Sequence, residues 1–337
     1  MKRIATLIVS VLCFVGFMKA QNISVVSPSN VTTVYADFTE ALNKAEAGSM
    51  VYLSEGLFTT NNYILSKKLH IIGIGYRSDS KNSFLNGGIS FIKGSDGSSL
   101  IGVYVNGTVN IGSAQSGEYE VNNILIQNCS VSRIMQITPS WTIYGGEGMR
   151  IFQNIIRDAG SDLKIKNSFI VNNIFATEST SRVLTNTEST DVHNNIFFGT
   201  DPYYTNKSSS FENNIFLKGI PDFFVKDKDK IFTSFKNNIS TNGQIIEGNF
   251  ANVPANSIFT KWEGTAGYKE SDDYRLAAGC VGKNAGTDGK DVGIYGGDGW
   301  TEKGIPFNPR IESAEIAPQT NADGTLNVKI KVSVREN

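Results

Sequence analysis

Apolar and polar residues recur along this chain in a fixed order. An asparagine is followed by an apolar pair at Ile155-Ile156, Ile174-Phe175, Ile196-Phe197 and Ile215-Phe216. A second apolar column stands three residues before the same asparagine, at Ile151, Ile170, Val192, Phe211 and Phe235. Between the two lies a mixed column that includes His193, Glu212 and Lys236, which the pattern turns towards water. Aligned on this residue, Asn106, Asn128, Asn154, Asn173, Asn195, Asn214 and Asn238 are separated by 22, 26, 19, 22, 19 and 24 residues, averaging 22. Periods of roughly 20–50 residues mark repeat architectures.

Short apolar runs broken by Asn, Gly, Ser and Thr favour strands over helical repeats, and the Leu-x-x-Leu-x-Leu frame of a leucine-rich repeat is missing. The expected fold is therefore all-β: a parallel β-helix of about 22-residue coils. Asparagine suits its turns because it tolerates the left-handed conformation. Stacked on its counterparts, it can also pass amide hydrogen bonds along the axis. A solenoid must cover its open ends. In ADFTEALNKAEAG, Asp37 and Glu40 predict a capping box, and Phe38, Ala41, Leu42 and Ala45 share one face of a short N-terminal capping helix. Residues 305–337 alternate in the strand manner around Asn321-Ala322-Asp323-Gly324, which predicts a C-terminal strand pair lying along the solenoid or over its last coil. The expected organisation is a signal peptide over 1–20, the β-helix over 21–300 and a strand extension over 301–337.

Lys2 and Arg3 precede an apolar run from Ile4 to Phe17, and Ala20 closes the segment, as in a secretory signal peptide. The protein is thus expected to be exported, to periplasm, cell surface or medium, with no membrane insertion after cleavage. Removing Lys2, Arg3 and Lys19, with no acids among them, takes the net charge from -1 to -4. That balance argues against nucleic acid or an anionic bilayer as partner. Cys129 and Cys280 remain, too few for a disulfide scaffold. Their separation of 151 residues spans about seven coils, or roughly 33 Å, so they should not be bonded, and Cys129 should point inward.

The N-terminal region resembles the right-handed β-helix superfamily of pectate and pectin lyases. The likeness rests on the capping helix, a G-x-x-V-x-L-x-x-G strand at Gly48 to Gly56 and a hIIGxG strand at His70 to Gly75. Tyr274 to Gly297 resembles the closing coil of such proteins, with Asp291 and Gly293 in an Asp-x-Gly turn. The resemblance implies the fold over roughly Ala36 to Gly297, but a fold hosts many functions. Lyases of this fold neutralise a uronate carboxylate and remove the neighbouring proton with Arg or Lys. The Trp-Ile-Asp-His and Arg-x-Pro-x-x-Arg segments usual for them are missing, as is the Gly-His-Gly of the related hydrolases.

No catalytic residue is assigned; the candidates are Arg182 and His193, the latter beside Asp191. His70 reads as structural, Asp227 and Asp229 as a solvated loop, and Asp272, Asp273, Asp288 and Asp291 as turn residues. Arg182, Tyr203-Tyr204 and Phe223-Phe224 recur at distances of 21 and 20 residues and should stack on one face. An aromatic strip there, extended by Trp141 and Tyr144, would suit sugar rings. The expected partner is a polysaccharide, with no metal or other cofactor except calcium were the protein a lyase. A uronate-cleaving lyase and an adhesin or structural protein are the alternatives.

Overall fold

The asparagine pairs fold as turns because two neighbouring positions divide the work. In each coil the first residue of the pair is left-handed: Asn128, Gln153, Asn172, Asn194, Asn213 and Asn237 have φ between 54° and 59°. The second, at Asn154, Asn173, Asn195, Asn214 and Asn238, is buried and forms the ladder. Asn154 donates to Asn173 Oδ1 at 3.0 Å, Asn173 to Asn195, Asn195 to Asn214 and Asn214 to Asn238, each at 3.0 Å. A further rung that the repeat does not announce, Asn249, accepts from Asn238 at 2.8 Å.

Two members of the asparagine alignment therefore move. Asn128 belongs to the left-handed column, and Cys129 takes the ladder position, its N–H donating to Asn154 Oδ1 at 2.9 Å. Asn106 lies inside the strand Tyr104–Ile111; the turn of its coil is Gly102-Val103, with Gly102 at φ 65°. Residue type alone does not separate adjacent turn positions, because asparagine satisfies both.

This computed structural model describes residues 22–76, 82–114, 117–140, 145–158, 161–177, 183–199, 205–219, 232–243, 245–262, 264, 267–306, 310–316, 321, 323–325 and 328–333. Their parallel strands build a β-helix of about six coils spaced by about 24 residues. The spacing exceeds the expected 22 because the early coils carry longer loops: His70 and Ser99, paired across adjacent coils, are 29 residues apart, against 19 for Arg150 and Phe169. One long sheet (sheet A) runs from Ser49–Leu53 through Arg150–Phe152 and Asp191–His193 to Phe232–Lys236. A second (sheet B) runs from Gly56–Thr59 through Tyr104–Ile111 to the dipeptides Ile155–Ile156, Ile174–Phe175, Ile196–Phe197, Ile215–Phe216 and Ile239–Ser240. A third has three strands, Leu163–Lys166, Leu184–Glu188 and Thr205–Lys207.

Successive residues of a strand face opposite ways, so each Ile-Phe dipeptide divides between two cores. Phe175, Phe197 and Phe216 stack inside the solenoid at 4.7 and 5.0 Å. Ile155, Ile174, Ile196, Ile215 and Ile239 face outward into a second apolar cluster.

At the N-terminal end the helix Phe38–Lys44 lays Phe38, Ala41 and Leu42 on the first coils. Half of the expected capping box forms: Asp37 accepts from the Glu40 N–H at 2.7 Å, while the Glu40 carboxylate pairs with Lys44. The hairpin Ile23–Val26/Thr32–Tyr35 extends sheet A antiparallel at this end. At the other end Ile246 tops the core and Asn249 closes the ladder.

The segment from Tyr274 to Gly297 does not form a closing coil. It belongs to a strap that runs back along the outside of sheet B, and the left-handed column holds it. Asn213 exchanges bonds with Thr287, Asn194 donates to the Gly293 carbonyl at 3.1 Å, and Asn172 donates to those of Ile294 and Gly296 at 2.7 and 2.9 Å. Gln153 then bonds the Gly299 carbonyl and the Thr301 hydroxyl, and Pro306 reaches Gly102. Val292 and Ile294 cover the outward isoleucines. Gly293, at φ 89°, lies so close that an added Cβ would meet Ile215 at 2.6 Å. Asp288 and Asp291 have the turn roles expected of them, accepting from the N–H groups of Lys290, Gly297 and Asn284.

Arg310–Ile316 and Val328–Ser333 form the expected antiparallel strand pair. It starts four residues after Pro306, a reach of about 14 Å, and so begins beside the Gly102 coil rather than at the last one.

Both described cysteines are buried and unbonded, and burial pushes the Cys129 thiol up to about 12. Folded protein lacking residues 1–20 is thus expected to leave a thiol reagent such as DTNB unreacted at pH 8. After denaturation the chain should titrate two thiols if residues 1–20 have been removed and three if Cys13 remains. Rapid labelling of the native protein would contradict the burial.

Candidate functional site

Among the described residues, the solvent face of sheet A assembles no catalytic group around His193. The imidazole is half-buried between Val171 and Glu212, and its Nε2 lies 3.9 Å from Asp191 Oδ1, beyond a hydrogen bond. Glu212 is engaged by the Ser234 hydroxyl and by Lys236 at 3.7 Å. His70 hydrogen-bonds Ser99 Oγ through its Nδ1 at 3.0 Å. Arg182, Tyr203, Tyr204, Phe223, Phe224, Trp141 and Tyr144 lie outside the described residues, as do Asp227 and Asp229. Among the described residues no three His, Cys, Asp or Glu side chains form a metal-binding group.

Outward rings on neighbouring coils do occur, but they stack on one another. Phe84 and Tyr104 lie 4.8 Å apart and nearly parallel, and the Arg157 guanidinium covers Tyr104 at 4.0 Å. At the strand spacing, rings in register consume each other's faces and offer edges to solvent. Aromatic side chains also gather where the chain leaves the coil repeat.

The strap provides such a place. The strands Phe259–Lys261 and Asp273–Leu276 pair antiparallel. Alternation sends Tyr274 and Leu276 inward, Asp273 and Arg275 outward. Tyr274 is held edge-on by Phe198 at 5.6 Å and Phe259 at 5.3 Å, and stacks on Tyr268 at 5.5 Å. Its hydroxyl donates to the Lys269 carbonyl and accepts from the Lys269 N–H, and burial raises its pKa. This knot fixes the pair on the outer isoleucine face.

Between the pair and the strap a cavity of about 250 Å³ opens. Ile155 and Ile174 form its floor, and Tyr76, Tyr268, Tyr295 and Trp300 its aromatic walls. Arg275 donates to Glu302 at 2.7 Å and to Asp273 at 3.3 Å, and its guanidinium lies 5.0 Å over the Tyr295 ring. Burial pushes the Tyr295 phenol up to about 12, so it is a neutral hydrogen-bonding group at physiological pH. Glu270, Ser271 and Asp272 complete the lining.

Reading the aspartates near 272 as turn residues caught part of this: Asp273 does accept from the Arg275 N–H at 3.0 Å. It missed that Asp272, Asp273 and Arg275 face the aromatics of the strap. The available signal was local composition, since Tyr268, Tyr274, Tyr295 and Trp300 crowd a stretch outside the repeat.

The fold and this site define a parallel β-helix with an aromatic pocket beneath a C-terminal strap. Comparison with family models and with curated proteins gives no match.

Proposed function

We propose that this is an exported parallel β-helix protein, akin to the pectate and pectin lyase superfamily, that binds polysaccharide in the strap pocket. The observation that carries the reading is the pocket's lining: the aromatic side chains of Tyr76, Tyr268, Tyr274, Tyr295 and Trp300 over an aliphatic floor, with carboxylates and a serine at hand. Polar groups make up the larger share of the exposed lining, beside the rings. Sugars present C–H faces to rings and hydroxyls to carboxylates. Export follows from Lys2, Arg3 and the apolar run after them. Binding is favoured over β-elimination because Arg275, the one cation among the described residues that line the pocket, is already paired with Asp273 and Glu302.

Titration with soluble oligosaccharides, followed by tryptophan fluorescence, tests this. At least one glycan should bind, and Trp300→Ala should weaken it tenfold or more, about 1.4 kcal/mol, without altering the far-ultraviolet circular dichroism. New absorbance from unsaturated uronate ends would replace binding with a lyase. Failure to retain any glycan would remove the polysaccharide reading.

A further inference from the structure

The solvent face of sheet A is divided along its length. Strand register stacks Tyr52, Ile72, Ile101, Gln127, Phe152 and Val171 in one outward column. The column beside it holds His70, Ser99 and Arg150 but adds Met50, Leu125 and Phe169 to the apolar stripe. From Asp191 and His193 onward both columns turn polar. Phe169 is 45% exposed, whereas Ile72, between Tyr52 and Ile101, is only 3% exposed and belongs neither to the solenoid core nor to the outer isoleucine cluster. A side chain on the outer face of a sheet becomes buried when something lies over it, so a cover begins near Ile72.

The C-terminal strand pair has the pattern and the tether to supply that cover. In its register Ile311 meets Val332, Ala314 meets Ile330 and Ile316 meets Val328, alternating with the polar pairings of Arg310 with Ser333, Ser313 with Lys331 and Glu315 with Lys329. Alternation gives such a ribbon one apolar side, and a two-stranded ribbon with nothing against it is marginal in water. The strap delivers the ribbon to the stripe: Pro306 lies against Gly102, in the turn that joins the sheet A strand Ser99–Ile101 to sheet B. Four residues from Pro306 reach about 14 Å, and the strands of Tyr52 and Phe152 each lie two spacings from that of Ile101, about 10 Å. The seven residues of Arg310–Ile316 extend about 23 Å, enough to cross the strands from one to the other. So short a tether gives an effective concentration near millimolar, which favours the face of the same chain over that of a second copy. We infer that the C-terminal strand pair docks by its apolar side on the outer face of sheet A, between Tyr52 and Phe152.

Hydrogen exchange of the whole chain, read by mass spectrometry over a range of protein concentrations, tests this. The amides of 310–316 and 328–333 are expected to exchange about a hundredfold more slowly than in an unstructured chain, equally at every concentration. An Ile101→Glu/Phe152→Glu double variant, changed only at outward positions, should speed their exchange about tenfold or more while the coil amides stay protected. Ser210→Lys, on the polar part of the same face, should leave it unchanged. Where the double variant also loosens the coils, Ile330→Glu decides, since it alters the ribbon alone: binding of an apolar dye should rise as the stripe is bared, and an unchanged signal would overturn the inference. Ribbon amides that exchange at the unstructured rate in the unaltered protein, or that stay protected in the double variant, would overturn it too. Protection that appears only as the protein dimerises would do the same, by giving the face to a second copy.

Discussion

Replacing Asn195 by alanine should destabilise the protein by about 3–5 kcal/mol, more than the same change at its neighbour Asn194. Asn195 is fully buried. Its Oδ1 accepts from the Asn173 backbone N–H at 2.8 Å and from the Asn173 amide at 3.0 Å. Its Nδ2 donates to the Ile170 carbonyl at 2.8 Å, the His193 carbonyl at 2.9 Å and Asn214 Oδ1 at 3.0 Å. Truncation leaves at least the Asn173 N–H without its acceptor in the core, and an orphaned buried polar group costs about 1–3 kcal/mol. The ladder breaks in mid-solenoid, where neighbouring coils have nothing else to offer that donor.

Asn194 serves the other column. At φ 59° it carries the left-handed turn, and its amide donates to the Gly293 carbonyl at 3.1 Å. Alanine there costs about 1–2 kcal/mol in backbone strain and about 1 kcal/mol for the bond. Glycine adopts this φ without strain and so incurs only the second cost. The expected order of loss is therefore Asn195→Ala, then Asn194→Ala, then Asn194→Gly, read from urea midpoints at constant m-value. An Asn195→Ala protein as stable as Asn194→Gly would show that the ladder does not hold the coils.

Ile294→Asp should release the strap and abolish the pocket while the coils stay folded. Ile294 is buried against the outward isoleucines, and its carbonyl accepts from Asn172 at 2.7 Å. A carboxylate there would sit among the isoleucines of the outer cluster, and burying an unpaired charge costs several kcal/mol. The strap is anchored by separate side-chain bonds worth about 1 kcal/mol each, so detaching part of it is the cheaper response. Limited proteolysis should then cut between residues 277 and 304, and glycan binding should vanish, since Tyr295, Trp300 and Glu302 all ride on the strap. The uncovered isoleucine column should bind an apolar dye and promote association. Circular dichroism of the solenoid should persist, because the ladder and the phenylalanine stack draw no residue from the strap. Ile294→Val, losing about 0.5–1.5 kcal/mol, is the control. Unchanged proteolysis and binding in Ile294→Asp would mean that the strap does not depend on this contact.

The solenoid was legible because its interactions repeat with the sequence. Asn173 meets Asn195 and Asn195 meets Asn214 at intervals of 22 and 19 residues, and Phe175 meets Phe197 at the same coil spacing. Stacking each coil only on its neighbours turns spatial contact into periodicity along the chain. The capping helix was legible for a local reason, the Asp37 side chain lying within reach of the Glu40 N–H. The division between two asparagine columns was not, since both positions accept the same residue and only φ and the direction of the amide distinguish them.

The strap and its pocket were decided by the tertiary structure. Asn172 meets Ile294 across 122 residues and Gln153 meets Thr301 across 148, each pairing made once and at no fixed interval. The amino-acid sequence by itself thus determined a stack of coils and a column of apolar pairs, whose isoleucines the strands turn outward. What covers that column, and which charges gather beside it, followed from the path of a non-repeating segment, because its fit depends on surfaces that exist only once the coils are stacked.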